Sequence, residues 1–170
     1  MRASLKVGLV AGGYAAALAV AFAVVAIYIV MTDGPDRQAS GGMYSFSDSL
    51  LFLAVFGVAA VPSTGGALFF LRPYPAVWRA LSVAALASAA IGLVAIAAFL
   101  ADQRAAPGSP APWWSIVAVL RILLAPLLAL FFFVAVLFAP NRSGRITLFV
   151  VSVIEAVVFA SFVVIMILRR

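Results

Sequence analysis

The sequence predicts an all-α integral membrane protein, a bundle of five transmembrane helices with a Pro/Gly kink in the second helix. Of the 170 residues, 67% are hydrophobic and only 9% are charged, whereas about a quarter of the residues of a soluble domain are charged. Five apolar stretches each match the roughly 20 residues that a helix needs to cross the hydrocarbon of a bilayer. We therefore expect the lipid bilayer to be the solvent of this chain. The length predicts a single transmembrane domain over residues 1–170.

The five predicted spans contain only two charged residues, Arg121 and Glu155. The spans cover residues 7–31, 49–71, 80–101, 113–139 and 146–168. Because backbone groups in lipid must be hydrogen-bonded within the protein, each span is expected to be an α-helix. The short alternating segments of a transmembrane barrel are absent. The first span follows a basic start, as in a signal peptide, but its apolar run of 25 residues exceeds the roughly 7 to 15 typical of such peptides. We expect it to be a retained anchor.

The distribution of basic residues predicts the orientation of the chain. With the N-terminus inside, six basic residues are cytoplasmic, namely Arg2, Lys6, Arg72, Arg79, Arg142 and Arg145. Four lie outside, namely Arg37, Arg104, Arg169 and Arg170. The positive-inside rule therefore favours a cytoplasmic N-terminus and an external C-terminus. Ten of the eleven basic residues are Arg, and together with the Ala-rich helices this bias favours a bacterial inner membrane.

The residue types that are absent exclude several kinds of chemistry. The chain has no Cys and no His, which excludes disulfides, thiol chemistry, bis-histidine haem ligation and a Ser–His protease. Aspartyl proteolysis needs two carboxylates at membrane depth, and the spans contain one, Glu155. The basic residues are scattered singly and in pairs, unlike a nucleic-acid-binding face. We therefore predict no catalytic residue, no cofactor, no metal and no nucleic acid; the protein is not expected to be an enzyme.

Two series of small residues predict where helices approach one another closely, since small side chains allow this in lipid. Gly8 and Gly12 in the first span have GxxxG spacing. The third span has a small residue at every fourth position, namely Ala76, Ala80, Ala84, Ser88 and Gly92. In helices so rich in Ala, such series also arise by chance. The neighbour on either face can be a helix of this chain, of a second copy or of another membrane protein.

The segment "PSTGG" interrupts the second span. Pro62 has no N–H and its ring clashes with the carbonyl group four residues earlier, while Gly65 and Gly66 lower the cost of leaving helical geometry. Ser63 and Thr64 can bond backbone groups that the break sets free. The second helix is therefore predicted to be kinked at this segment.

The break coincides in depth with the one acidic residue within a span. Ser63 lies nine residues from Arg72, and Glu155 lies ten residues from Arg145, so both are roughly 14 Å deep at ~1.5 Å per residue. Ser152 lies one turn from Glu155. The candidate mid-membrane polar site therefore consists of Glu155, Ser152, Ser63, Thr64, Pro62, Gly65 and Gly66. It is either a hydrogen-bonded staple between helices or a functional, proton-coupled site.

Arg121 is a charge inside the fourth span, about 12 Å below its outer end at ~1.5 Å per residue. Folding the chain back at the loop before the fifth span leaves Arg121 about nine residues from the level of Glu155, a gap of ~13 Å. We therefore predict that Arg121 extends outward towards Asp102 or Asp48. In the alternative, the span begins at Ile122 and the preceding segment lies along the interface.

These observations favour a non-catalytic multi-pass protein, an accessory or scaffolding subunit of a larger membrane assembly. Its expected partners are the lipid bilayer and other membrane-protein subunits or a second copy of the chain. The alternative is a small transporter or channel component that uses Glu155 and the break at residues 62–66. An enzyme or a lipid-handling protein is the third and weakest hypothesis. The variant Glu155→Gln separates the first two, because a staple would lose stability whereas a proton carrier would lose transport.

Overall fold

The computed structural model describes residues 3–102 and 113–168, and within them the chain forms helices and no β-strand. The helices are α1 Ala3–Met31, α2 Pro35–Ala39, α3 Gly41–Ala59, α4 Val61–Leu71, α5 Pro75–Asp102, α6 Trp113–Phe138 and α7 Arg142–Leu168. By length and composition, five of them are able to cross a membrane, namely α1, α3, α5, α6 and α7. The all-α class and the five apolar helices are confirmed.

The chain divides into two compact units, Met1–Phe70 and Leu71–Arg170, here called the N-terminal and C-terminal units. The N-terminal unit contains α1 to α3 and nearly all of α4, and the C-terminal unit contains α5, α6 and α7. The five-helix bundle and the single domain over residues 1–170 stay predictions.

Most helices extend beyond the predicted spans. The predicted starts at residues 7, 49, 80 and 146 lie four or more residues inside helices that begin at residues 3, 41, 75 and 142. Hydropathy marks only the apolar part of a helix, whereas backbone hydrogen bonds continue through polar positions such as Lys6, Asp48 and Arg145. Hydropathy therefore identified five helices that are long and apolar enough to cross a membrane, and it underestimated their lengths.

The predicted second span is two helices, α3 and α4, separated by Ala60. The N–H of Ala60 donates to the Phe56 carbonyl at 2.8 Å, and the N–H of Thr64 donates to the Ala60 carbonyl at 2.9 Å. Pro62 thus occupies the first turn of α4, where its missing N–H is tolerated. The interruption at Ala60 lies in the turn before Pro62, where the missing N–H and the ring of the proline disturb the bonding of the Val58 carbonyl.

In the N-terminal unit, α1 presents small residues and aromatic side chains to its neighbours. Ala17 and Ala21 are buried, and the rings of Phe22 and Phe52 lie 4.9 Å apart. The predicted GxxxG seam is not a packed face of this unit, because Gly8 is exposed and no atom lies within 4 Å of an added Cβ there. Gly12 is open in the same way.

In the C-terminal unit, α5, α6 and α7 pack around a common core. Ile122 on α6 and Leu148 and Val151 on α7 are completely buried. The small-residue series of α5 divides between two faces. Gly92 is buried and Ser88 is half-buried, whereas the three alanines are exposed, namely Ala76, Ala80 and Ala84. The predicted packed face is therefore confirmed for its last two members only.

Candidate functional site

Arg121 and Glu155 form an ion pair inside the C-terminal unit. Arg121 Nη2 lies 2.6 Å from Glu155 Oε1, and the two side chains are 13% and 0% exposed. The predicted outward path of Arg121 is therefore wrong. Asp48, one of its predicted partners, pairs with Arg37 in the N-terminal unit, and the side chain of Asp102 lies outside the described residues.

The error has a geometric cause. The predicted gap of ~13 Å corresponds to a turn between α6 and α7 that is centred near residues 142 and 143, whereas α6 ends at Phe138 and α7 begins at Arg142. The turn is therefore centred on Pro140, and reflection of residue 121 about residue 140 gives residue 159. That position is four residues from Glu155, so the gap along the axis is ~6 Å. A guanidinium on its long side chain spans this gap.

Ser88 on α5 completes the connection. Its Oγ donates to Glu155 Oε1 at 2.8 Å, and Arg121 Nη2 donates to the Ser88 carbonyl at 2.7 Å and to its Oγ at 3.0 Å. The cluster of Ser88, Arg121 and Glu155, here called the RES cluster, thus links α5, α6 and α7. Sequence reasoning placed Ser88 in the small-residue series and missed its polar role.

The RES cluster lies halfway along two of its helices. Glu155 is 13 residues from either end of α7, which covers Arg142–Leu168. Ser88 is 13 residues from the start of α5 and 14 residues from its end, since α5 covers Pro75–Asp102. For helices that cross a bilayer without a large tilt, these positions correspond to the middle of the hydrocarbon.

Gly92 makes room for the ion pair. A Cβ atom added there would lie 3.2 Å from Arg121 Nη2 and 3.5 Å from Glu155 Oε2. Gly92 is one turn beyond Ser88 on α5, so both residues face the same carboxylate. Ser88 and Gly92, the last two members of the small-residue series of α5, therefore leave space for two charged side chains between closely packed helices.

Two polar atoms of the cluster keep unused hydrogen-bonding capacity. Glu155 Oε2 and Arg121 Nη1 are buried and have no hydrogen-bond partner among the described protein groups. When the two residues are ionised, the carboxylate oxygen Oε2 can only accept a hydrogen bond and the guanidinium nitrogen Nη1 can only donate one. The cluster therefore has one free acceptor and one free donor in addition to the bonds that connect the helices.

Ser152 forms a second polar link between α6 and α7. It is 8% exposed, and its Oγ donates to the Ala129 carbonyl at 2.8 Å. Because a hydroxyl has a single donor, this proton is not directed to Glu155. Ser152 thus lies on the buried face of α7, as predicted, but its hydroxyl is hydrogen-bonded to the backbone of α6 and not to Glu155.

The remaining predicted site residues lie on α4 in the N-terminal unit. The hydroxyl groups of Thr64 and Tyr14 are 2.9 Å apart and hydrogen-bonded. Ser63 lies against Gly13, where an added Cβ would overlap the Ser63 hydroxyl. Gly65 is buried and Gly66 half-buried, while Pro62 is exposed. The proposed link between this group and Glu155 joins residues of two separate units and stays a prediction.

Among the described residues, no group of three or more His, Cys, Asp or Glu side chains is placed to hold a metal ion. The candidate site is accordingly the RES cluster with Gly92 beside it. No protein-family model, curated protein or solved structure matches the chain.

Proposed function

We propose that this chain is a non-catalytic multi-pass membrane protein that serves as an accessory or scaffolding subunit of a larger membrane assembly. We place it in a bacterial inner membrane with its N-terminus in the cytoplasm. The ion pair of Arg121 with Glu155, 2.6 Å apart and closed by Ser88, supports this proposal best. Because these charges compensate each other inside the C-terminal unit, the outer surfaces of its helices remain apolar for lipid and for other helices.

One outer surface suits a helix of another subunit. Ala76, Ala80 and Ala84 are exposed at every fourth position of α5, so a partner helix can approach the α5 backbone closely there. The apolar side chains of Val77 and Val83 are exposed on either side of this surface. Small residues flanked by exposed apolar side chains favour the association of a second helix at these alanines.

The test is native mass spectrometry of the tagged protein extracted in mild detergent from its own membrane. We expect other polypeptides in fixed stoichiometry, and we expect Ala80→Leu to release them because the larger side chain holds the partner helix away. The matched control is Ala97→Leu, since Ala97 is also exposed on α5 but lies about 100° around the helix from Ala80. A wild-type protein that is only a monomer or homo-oligomer would contradict the proposal.

A second function, a small transporter or channel component, is favoured by one observation. Glu155 Oε2 and Arg121 Nη1 are buried without partners among the residues that the structure describes, and an ionisable residue inside a membrane commonly marks a proton or substrate path. In this alternative, protons load at Glu155 and the interruption between α3 and α4 allows movement in the N-terminal unit.

Proton flux into liposomes with a trapped pH-sensitive dye tests the alternative. A transporter would acidify the lumen under an imposed gradient, and Glu155→Gln would abolish this flux because an amide cannot carry the proton. Ser152→Ala is the control, since its hydroxyl serves the Ala129 carbonyl and its loss leaves the carboxylate intact. Flux no greater than in protein-free liposomes would contradict the alternative.

A further inference from the structure

A cavity with both apolar and polar walls lies at the end of the C-terminal unit where α5 and α7 begin. Its volume is about 600 Å³, within the range of small-molecule sites. Its walls come from the first turns of α5 and from the turn and first residues that lead into α7. The polar lining residues are Trp78, Arg79, Ser82, Asn141, Ser143 and Thr147.

The surroundings of this cavity are uniformly basic. Arg79 lines it, Arg142 and Arg145 flank the lining residues Ser143 and Gly144, and Arg72 precedes α5. No acidic residue occurs in residues 71–101 or 138–154. Within the described part of the chain, the ion pairs are those of Asp48 with Arg37 and of Glu155 with Arg121. Neither pair involves a basic residue beside the cavity. The cavity therefore attracts an anion.

Some of the side chains that line the cavity are held in place by hydrogen bonds within the protein, and others present hydrogen-bond donors to the cavity. Trp78 is buried, and its Nε1 donates to the Leu71 carbonyl at 3.2 Å, while Ser82 Oγ donates to the Trp78 carbonyl at 2.9 Å. These two residues hold one side of the cavity in place. The Arg79 guanidinium and the hydroxyl of Thr147 remain as donors of the kind that bind phosphate oxygens.

The position along the helices identifies the source of the anion. With 28 residues in α5 and 27 in α7, these helices are ~40 Å long, whereas the hydrocarbon is about 30 Å thick. Their first turns therefore project into the headgroup layer of the proposed membrane, on the side that the positive-inside rule assigns to the cytoplasm. Basic pockets between helices at this depth suit phospholipid head groups.

We propose that this cavity is a phosphate-binding site occupied by the head group of an anionic phospholipid. Arg79 provides the charge, Asn141, Ser143 and Thr147 provide neutral hydrogen bonds, and the apolar lining at Val83 and Pro140 receives the start of the acyl chains. The site holds a lipid against the junction of α5 and α7 whichever of the two functions proposed above is correct.

The experiment is a native mass spectrometry titration of the full chain in detergent with phosphatidylglycerol, and with phosphatidylcholine for comparison. We expect one phosphatidylglycerol to be bound more tightly than phosphatidylcholine. Arg79→Gln should weaken that binding about tenfold, the effect of losing one charge-assisted hydrogen bond. Arg72→Gln is the matched control, because it removes the same charge from the same end without touching the cavity, and it should change the affinity far less.

Two outcomes would overturn the proposal. Equal losses in Arg79→Gln and Arg72→Gln would mean general attraction by a basic surface and no defined site. Binding of inorganic phosphate at least as tightly as phosphatidylglycerol would mean that free phosphate is the occupant. Should Arg79→Gln fail to fold, the double variant S143A/T147V, which keeps every charge, provides the same comparison with Arg72→Gln.

Discussion

Arg121 on α6 and Glu155 on α7 meet at 2.6 Å, with the carboxylate completely buried. A lone charge at this position would be costly in lipid, and a lone buried charge is also costly in a protein interior. In the pair the two charges neutralise each other, and the Ser88 hydroxyl adds hydrogen bonds to both side chains. Removal of either charged residue would therefore leave the other charge buried and unpaired.

Gly92 should not tolerate a branched side chain. A Cβ there lies 3.2 Å from Arg121 Nη2, and the guanidinium cannot move freely because it is bonded to Ser88 and Glu155. We expect Gly92→Val to lower the free energy of unfolding by about 1–3 kcal/mol, the usual cost of overpacking. Gly12→Val is the control, since Gly12 has open space around it. Similar losses in both variants, measured by SDS-driven unfolding, would contradict this packing.

A side chain added at Gly13, which lies against Ser63 in the N-terminal unit, should also be destabilising. An added Cβ at Gly13 overlaps the Ser63 hydroxyl and lies 3.1 Å from Ser63 Cβ. Gly13→Ala should therefore destabilise the protein by roughly 1–3 kcal/mol, although Ala is the better helix former. Adding Ser63→Gly should restore part of the loss.

The neighbouring residue is the control for that experiment. Gly12→Ala adds the same methyl group where no atom lies within 4 Å, so it should be neutral or stabilising by up to about 1 kcal/mol. Thermal unfolding followed by circular dichroism compares the variants. Equal behaviour of Gly12→Ala and Gly13→Ala would contradict the close approach of α1 to Ser63.

The hydrogen bond of Ser152 to the Ala129 carbonyl, 2.8 Å long, should contribute little. Interhelical hydrogen bonds in membranes average about 0.6 kcal/mol, so Ser152→Ala should cost about that much. Ser45→Ala, which removes a bond to the Gly41 carbonyl within the same helix, should cost less. A loss of several kcal/mol in Ser152→Ala would assign to Ser152 a central role that the geometry does not support.

The apolar helices were predictable because the bilayer requires long apolar runs, which hydropathy measures directly. The interruption near Pro62 was also predictable, since the missing N–H is a local property of one residue. Glu155 was identified as a buried polar residue for a similar reason: a single acid inside an apolar run is conspicuous. Each of these conclusions depends on the residue itself and its immediate neighbours.

The partners of Glu155 were not predictable in the same way. A shift of two to three residues in the centre of the α6–α7 turn changes the level of Arg121 by more than one helical turn relative to Glu155. Ser88 and Gly92 look like ordinary small residues until the faces of α5, α6 and α7 are known. Gly13 was overlooked in favour of Gly12 for the same reason, because spacing alone does not determine which face of a helix is packed.

The central claim, that Arg121 and Glu155 stabilise the C-terminal unit only as a pair, is tested most directly by a double-mutant cycle. The variants are R121M, E155L and the combination of both, and the quantity is the free energy of unfolding in detergent. Each single variant leaves one buried charge unpaired and should cost roughly 3–5 kcal/mol. The double variant should be more stable than either single variant, because no charge remains and the Ser88 hydroxyl can bond a carbonyl of its own helix. Losses that simply add in the double variant would show that the two residues act independently, and this would contradict the claim.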